Sequence, residues 1–404
     1  MNLHLYDWLS LLTRWTHLIT GIAWIGSSFY FMWLDAHLTP PETLKPDVEG
    51  ELWMTHSGGF YLVERKRIAA GGMPKTLHWF KYEALFTLIS GIFLLGIVYY
   101  LNAGAYLVDP AIFNILHASA TALSIGVLIG SWFIYDSLWQ SPVGKKYPNI
   151  ATAVSLFLAA GAAVGFCHFL SGRAAFIHVG AMFGTIMVAN VWVRILPAQQ
   201  KMIDATDQGK TPDYSLSAQA KRRSVHNSYM TFPVLFMMLS NHYAITYGHS
   251  KNWVVLILLI LLGAAIRHVM LAKKGPIKNA SKQLAAVGAA ICFLTLLGLT
   301  ATPSVQNDLA MQQDKSSHIA FQQVKNVIHQ RCLPCHSTQP ADTTFGPSPG
   351  GVHFETPERI RALAFRIKVR AVDTKSMPLA NKTGITEEER ILLGQWVDQG
   401  ASEN

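Results

Sequence analysis

What most limits this chain is a recurrence of apolar runs, each about as long as a bilayer is thick. A helix crossing the hydrocarbon core needs roughly 20 mostly apolar residues. Eight segments meet that length, near 9–34, 80–101, 112–138, 150–170, 174–196, 229–247, 252–271 and 283–302. The composition agrees: half of the residues are hydrophobic and only 14% are charged. The first run is long and rich in Trp and Tyr, as an interface-anchored helix would be. The sixth is interrupted by Pro233, Asn241 and His242, and the fourth and fifth are joined so closely that they predict a helical hairpin.

The formal net charge of +9 raises the question of a nucleic-acid partner. The distribution excludes it, because the basic residues sit in short clusters between apolar runs. Lys and Arg crowd the loops 35–81, 139–149, 197–228 and 272–282, whereas the intervening loops hold only Arg173 and Lys251. The positive-inside rule then places both termini outside the cytoplasm, with the bilayer as the chain's first partner. Met1 to Asp7 contain no Lys or Arg, so the start does not read as a secretory signal peptide. These features predict a multi-pass integral membrane domain over 1–302.

After Thr302 the character changes. Residues 303–317 read as a polar linker, and 318–404 as a small periplasmic domain with amphipathic helices. Phe321, Val324 and Ile328 share one helical face, and the last helix opens with Thr386 and Glu389 at capping-box spacing and stops at Gly400. Cys167 and Cys292 are isolated in apolar stretches, so there is no disulfide framework. Cys332-Leu333-Pro334-Cys335-His336 is C-x-x-C-H, the attachment signature of a c-type haem. Two thiols one turn apart form two thioethers, and the adjacent histidine becomes the first axial ligand. A zinc site would need two more Cys or His at suitable spacing, and a redox pair a βαβ context; neither is visible. Met377 is the only methionine after the linker and is followed by Pro378, which favours it over His329 and His353 as the second axial ligand. The fold class expected is therefore all-α: an eight-helix transmembrane bundle with a C-terminal soluble class I-like cytochrome c domain. A domain this small buries little core of its own, and a haem would supply much of it.

Ionisable residues inside membrane helices mark function by default. Two layers stand out. On the outer side lie His17, His117, His168, His178 and His242, on five different helices. Facing histidines hold a metal or a b-type haem, and His17, His117, His178 and His242 are the candidates; the plainer alternative is that each bonds a carbonyl or sits among headgroups. On the cytoplasmic side lie Asp35, Glu83, Asp136, Asn190 and Arg194, near His56-Ser57-Gly58-Gly59-Phe60-Tyr61 and His226-Asn227. An Arg with amide and carboxylate partners suits a planar, polar anion. Helix-end carboxylates are also often only solvated, and Gly58-Gly59 is equally readable as a turn.

Several strings resemble the bacterial membrane-bound, cytochrome c-linked urate oxidases, or urate hydroxylases. They are WTHLITGIAWIGSSFYFMWLD, HSGGFYLVERK, LHWFKYEA, GTIMVANVWVRILPAQQ and RRSVHNSYMTFPVLFMMLSNHY, together with the fused C-L-P-C-H domain. The resemblance covers nearly the whole chain. The second string departs at Ser57, where the family often has a third glycine. The resemblance implies oxidation of urate to 5-hydroxyisourate with water as oxygen source, an early step of purine breakdown. Electrons would pass to a soluble cytochrome c or terminal oxidase. Urate is a flat anion, and for it Arg194 and Asn190 would supply cation and amide, Asp35, Glu83 or Asp136 a base, and Gly58, Gly59 and Phe60 backbone donors and a stacking face. The rival location is the outer half, around Arg14, His17, Asn241 and His242. Two other readings compete: a membrane protein passing quinol or b-haem electrons to the c-haem, and an accessory oxidase subunit. A mere anchor would need only one or two helices.

Overall fold

The computed structural model describes residues 3–43, 45–67, 72–101, 106–110, 112–271, 276–301, 319–342, 344 and 349–403; the expected linker, 303–317, lies outside the described residues. Eight long helices dominate what is described: α1 Leu3–His37, α2 Tyr82–Tyr100, α3 His117–Gln140, α4 Pro148–Phe169, α5 Gly172–Asp207, α6 Tyr214–Ser240, α7 Asn252–Leu271 and α8 Pro276–Ala301. Six of them, all but α1 and α6, are long and apolar enough to cross a membrane. That is compatible with a multi-pass membrane protein. Thr, Ser, Trp and His dilute α1, and the first half of α6 is polar, with Lys221-Arg222-Arg223.

α5 is the central helix. Phe176, His178 and Val179 are fully buried on it, and it packs against α2, α3, α4 and α6. Ser171 starts it by accepting a hydrogen bond from the Ala174 N–H at 3.2 Å. Two close approaches hold the neighbours. A side chain at Gly180 would meet Met237 Cβ of α6 at 2.9 Å, and one at Gly263 of α7 would meet Pro233 Cδ of α6 at 2.8 Å. Small residues at such crossings let membrane helices gain dispersion contact. Pro233 lies inside α6 without ending it. α2 and α5 each contain a π-helical turn, at Leu95–Tyr100 and Asn190–Ile195, a feature frequent at functional sites.

The all-α expectation needs one correction. The segment read as a loop, 35–81, contains an antiparallel hairpin of β1 (Val48–His56) and β2 (Gly59–Lys66). His56 pairs with Gly59, so the turn is Ser57-Gly58, with φ of 51° and 77°. A two-residue turn with both central φ positive matches the twist of a hairpin. Glu64 ties β2 to Lys45 outside the hairpin and also pairs with Lys66 two residues along its own strand.

The C-terminal domain has its own core, built on α9 (Phe321–Arg331) and α10 (Glu387–Asp398). Val324, Ile328, Ile360, Leu393 and Trp396 are essentially inaccessible there. α10 carries a complete capping box: Thr386 accepts from the Glu389 N–H at 3.2 Å, and Glu389 accepts from the Thr386 N–H at 2.8 Å.

This domain meets the bundle at a tight seam. Arg370 donates to the Tyr247 hydroxyl at 3.2 Å. Beside it, a Cβ on Gly248 would fall 2.6 Å from Thr374 Cβ and 2.7 Å from the Thr374 carbonyl. Gly248→Ala is therefore expected to open the seam, at a cost of about 1–3 kcal/mol. Hydrogen exchange should rise at 369–374 while the thermal midpoint of the bundle stays put. Unchanged exchange there would mean the seam has slack.

Candidate functional site

α9 delivers the Cys-His motif. The helix ends at Arg331, and the chain turns through Cys332, whose carbonyl accepts from the Cys335 N–H at 3.2 Å and the His336 N–H at 2.9 Å. His336 Nδ1–H donates to the Val352 carbonyl at 3.1 Å. That bond fixes the tautomer and leaves Nε2 with its lone pair, as a metal-ligating histidine requires. Burial lowers the His336 pKa, which keeps the ring neutral. Burial also pushes the Cys332 thiol up to about 12, and burial with the neighbouring Asp342 raises that of Cys335. A thiol–disulfide catalyst needs the opposite shift, so the pair suits thioether attachment better than redox exchange.

Cys332, Cys335, His336 and Met377 line one cavity of about 1000 Å³. Of the three candidates for the second axial position, Met377 alone is in its wall. His329 is exposed, and His353 bonds Glu355 at 2.6 Å. The Met377 backbone is held from both sides: its N–H donates to the Arg370 carbonyl at 2.9 Å, and its carbonyl accepts from Arg390 at 2.9 Å. Arg390 is buried and also donates to the Ala371 carbonyl. These residues fit a c-type haem: two attachment thiols, an imidazole with a free nitrogen, a thioether held by its backbone, and a cavity between them.

The opposite wall of the cavity is the end of the bundle, including Arg14 of α1, Arg173 of α5 and Asn241 after α6. Of the five outer-layer histidines His168 alone lines this cavity, bonding the Val164 carbonyl through Nδ1 at 2.8 Å, and the five do not assemble there. Among the described residues, no three His, Cys, Asp or Glu come together as a metal site. His17 Nδ1 bonds the Thr87 carbonyl and Ser90 hydroxyl of α2, both at 3.0 Å. His117 Nε2–H donates to the Tyr100 carbonyl at 2.9 Å. His178, fully buried, donates from Nδ1 to the Ala174 carbonyl at 2.8 Å, and its Nε2 accepts from the Tyr100 hydroxyl at 3.2 Å. Both of its nitrogens are engaged, so it presents no lone pair to an iron unless Tyr100 turns away. His242 is exposed.

At the other end of the bundle the sequence candidates divide. Asp136, Asn190 and Arg194 do come together, with His226 and Asn227 of the same expected layer and with two residues the sequence did not point to, Arg223 and Tyr135. Arg194 Nε donates to Asp136 at 2.9 Å, with a second bond beside it, and Arg223 donates to the same carboxylate at 2.7 Å. Asn190 donates to Asn227 at 2.9 Å and to Tyr135 at 3.3 Å, and Tyr135 bonds His226 at 2.6 Å. This is a closed network, with the one carboxylate engaged by both guanidinium groups. Asp35 lies apart, paired with Lys221 at 2.8 Å and Arg65 at 3.4 Å. Gly58 is in the hairpin turn, Gly59 and Phe60 begin β2 opposite His56 and Thr55, and Phe60 is 83% exposed. Glu83 keeps one carboxylate oxygen buried without a partner, as Trp192 does its indole N–H.

The fold and these sites define a helical protein of membrane type with a cysteine–histidine domain set on one end. The chain matches the urate oxidase N-terminal family over residues 3–300 and belongs to it. The match ends where the cysteine–histidine domain has yet to begin. No curated protein and no solved structure matches the chain.

Proposed function

We propose that this protein oxidises urate to 5-hydroxyisourate, taking the oxygen from water and passing electrons through one covalent c-type haem to a soluble cytochrome c or a terminal oxidase. The observation that carries the reading is that a bundle of the urate oxidase N-terminal family shares one cavity with a C-x-x-C-H site. The balance is urate plus water giving the hydroxylated product, two electrons and two protons. A c-type haem held here would supply the one-electron redox chemistry. Cys332 and Cys335 would attach it, and His336 and Met377 would ligate its iron. Arg390 and the Arg370 carbonyl hold the Met377 backbone against that cavity. Both termini would lie outside the cytoplasm of a bacterial inner membrane, which the loop charges support.

The deciding assay compares urate with a quinol as reductant of purified holoprotein. Reduction of the haem band by urate, with 5-hydroxyisourate formed and no hydrogen peroxide, is the expected result. Reduction by quinol alone would make the protein an electron carrier instead. Met377→Ala should keep covalent haem but lower its midpoint potential, because thioether ligation is what raises it. An unchanged potential in redox titration would remove Met377 from the iron.

A further inference from the structure

The cavity beside His336 has a second wall whose chemistry the cysteine–histidine site does not use. Arg14 and Arg173 both face it, and among the described residues neither is paired with a carboxylate. This is the reverse of the distal network, where Asp136 neutralises Arg194 and Arg223 together. Arg173 is also aimed. Its Nε donates to Asn241 Oδ1 at 3.1 Å, and its guanidinium lies 4.7 Å from the Tyr106 ring centre. Asn241 is itself held, donating to the Tyr99 hydroxyl at 3.4 Å. A guanidinium oriented by an amide and an aromatic face is pre-organised for a planar anion, and little of its freedom is left to lose on binding.

We propose that this wall is the substrate subsite: a flat oxopurine anion binds in the cavity against Arg14 and Arg173, with Asn241 as the positioning residue for Arg173. The proposal rests on the urate reading above and deepens it. It places the electron donor in the same cavity as His336 and Met377. Electrons then need not cross the bundle, a distance of about 30 Å from the far side of a bilayer. The two cations also offset the charge of an anion that would otherwise sit beside a low-dielectric bundle.

The competing use of these arginines is to pair with the carboxylates of the haem itself, and the test separates the two. Xanthine, a planar oxopurine, serves as the binding probe in equilibrium dialysis with full-length holoprotein. Arg14→Met and Arg173→Met should each weaken xanthine binding at least tenfold and raise KM for urate-driven haem reduction. The haem midpoint potential and reduced spectrum should be unchanged. Arg173→Lys should recover part of the affinity, and Asn241→Ala should raise KM more than it lowers kcat. Retained covalent haem and an unchanged thermal midpoint certify folding.

Three results would overturn the proposal. The first is xanthine affinity that survives both Met variants. The second is a loss of affinity accompanied by a shifted haem potential, which assigns the arginines to the haem carboxylates. The third is Arg194→Met abolishing binding while both proximal variants retain it, which moves the site to the other end. A wild-type holoprotein whose haem urate does not reduce fails the functional reading itself. One that urate does reduce, but whose affinity ignores Arg14 and Arg173, fails this inference alone.

Discussion

Asp136→Asn is expected to destabilise the bundle by about 3–5 kcal/mol, the range for removing one partner of a buried charge pair. The reason is the arithmetic of the distal network. Asp136 is the counter-charge of both Arg194 and Arg223, and the Arg223 side chain is only 6% exposed. With an amide in its place, the Arg223 cation remains buried with Asn190 at 3.4 Å and the Tyr135 ring as its partners. The Arg194 side chain is 37% exposed, so water screens it and it contributes less to the loss. Thermal unfolding in detergent checks the size. Adding Arg223→Met to Asp136→Asn should recover a good part of the stability, since the stranded charge is then gone. A double variant no more stable than the single one would mean that Asp136 acts through shape or hydrogen bonding, not charge.

Trp396→Ala should be of similar size, about 3–5 kcal/mol, but confined to the C-terminal domain. The indole is 1% exposed, packs against Phe321 with ring centres 5.9 Å apart, and donates to the Ser402 carbonyl at 2.9 Å. It joins the first and last helices of the domain, so its removal leaves a cavity where α9 and α10 meet. In a domain of this size the transition should fall by about 12–40 °C. The bundle transition, followed separately by far-ultraviolet circular dichroism, should hardly move. A joint shift of both transitions would show that the domains unfold as one unit.

The helices were the readable part of this sequence. A run of apolar residues as long as a bilayer has few other uses, and each of the eight runs falls largely within one of the described helices. The borders were less readable. Lys221-Arg222-Arg223 resembles loop charge, yet α6 begins at Tyr214 and carries Arg223 inward. The signal was there: Arg223, His226 and Asn227 are spaced i, i+3, i+4, the stripe one helical face presents. The hairpin is harder to read because Gly58-Gly59 looks like the turn, whereas the turn is Ser57-Gly58 and Gly59 already pairs with His56. The cysteine–histidine motif is local and therefore legible. That Arg14 and Arg173 line one cavity, or that Gly248 meets Thr374, is set by packing between segments far apart in sequence, and no spacing rule announces it.

The seam at Tyr247 and Gly248 has one more consequence. The C-terminal domain reaches it on the same chain, joined to α8 through the residues between Ala301 and Ile319. Such tethering holds a partner at an effective concentration of order millimolar. A contact that as separate proteins would dissociate at about 10 μM is then occupied about 99% of the time. Selection on the seam therefore acts on geometry, not adhesion. Mild substitutions there would change how the two domains are oriented before they change how often the domains touch, whereas a clash such as that of Gly248→Ala is large enough to part them.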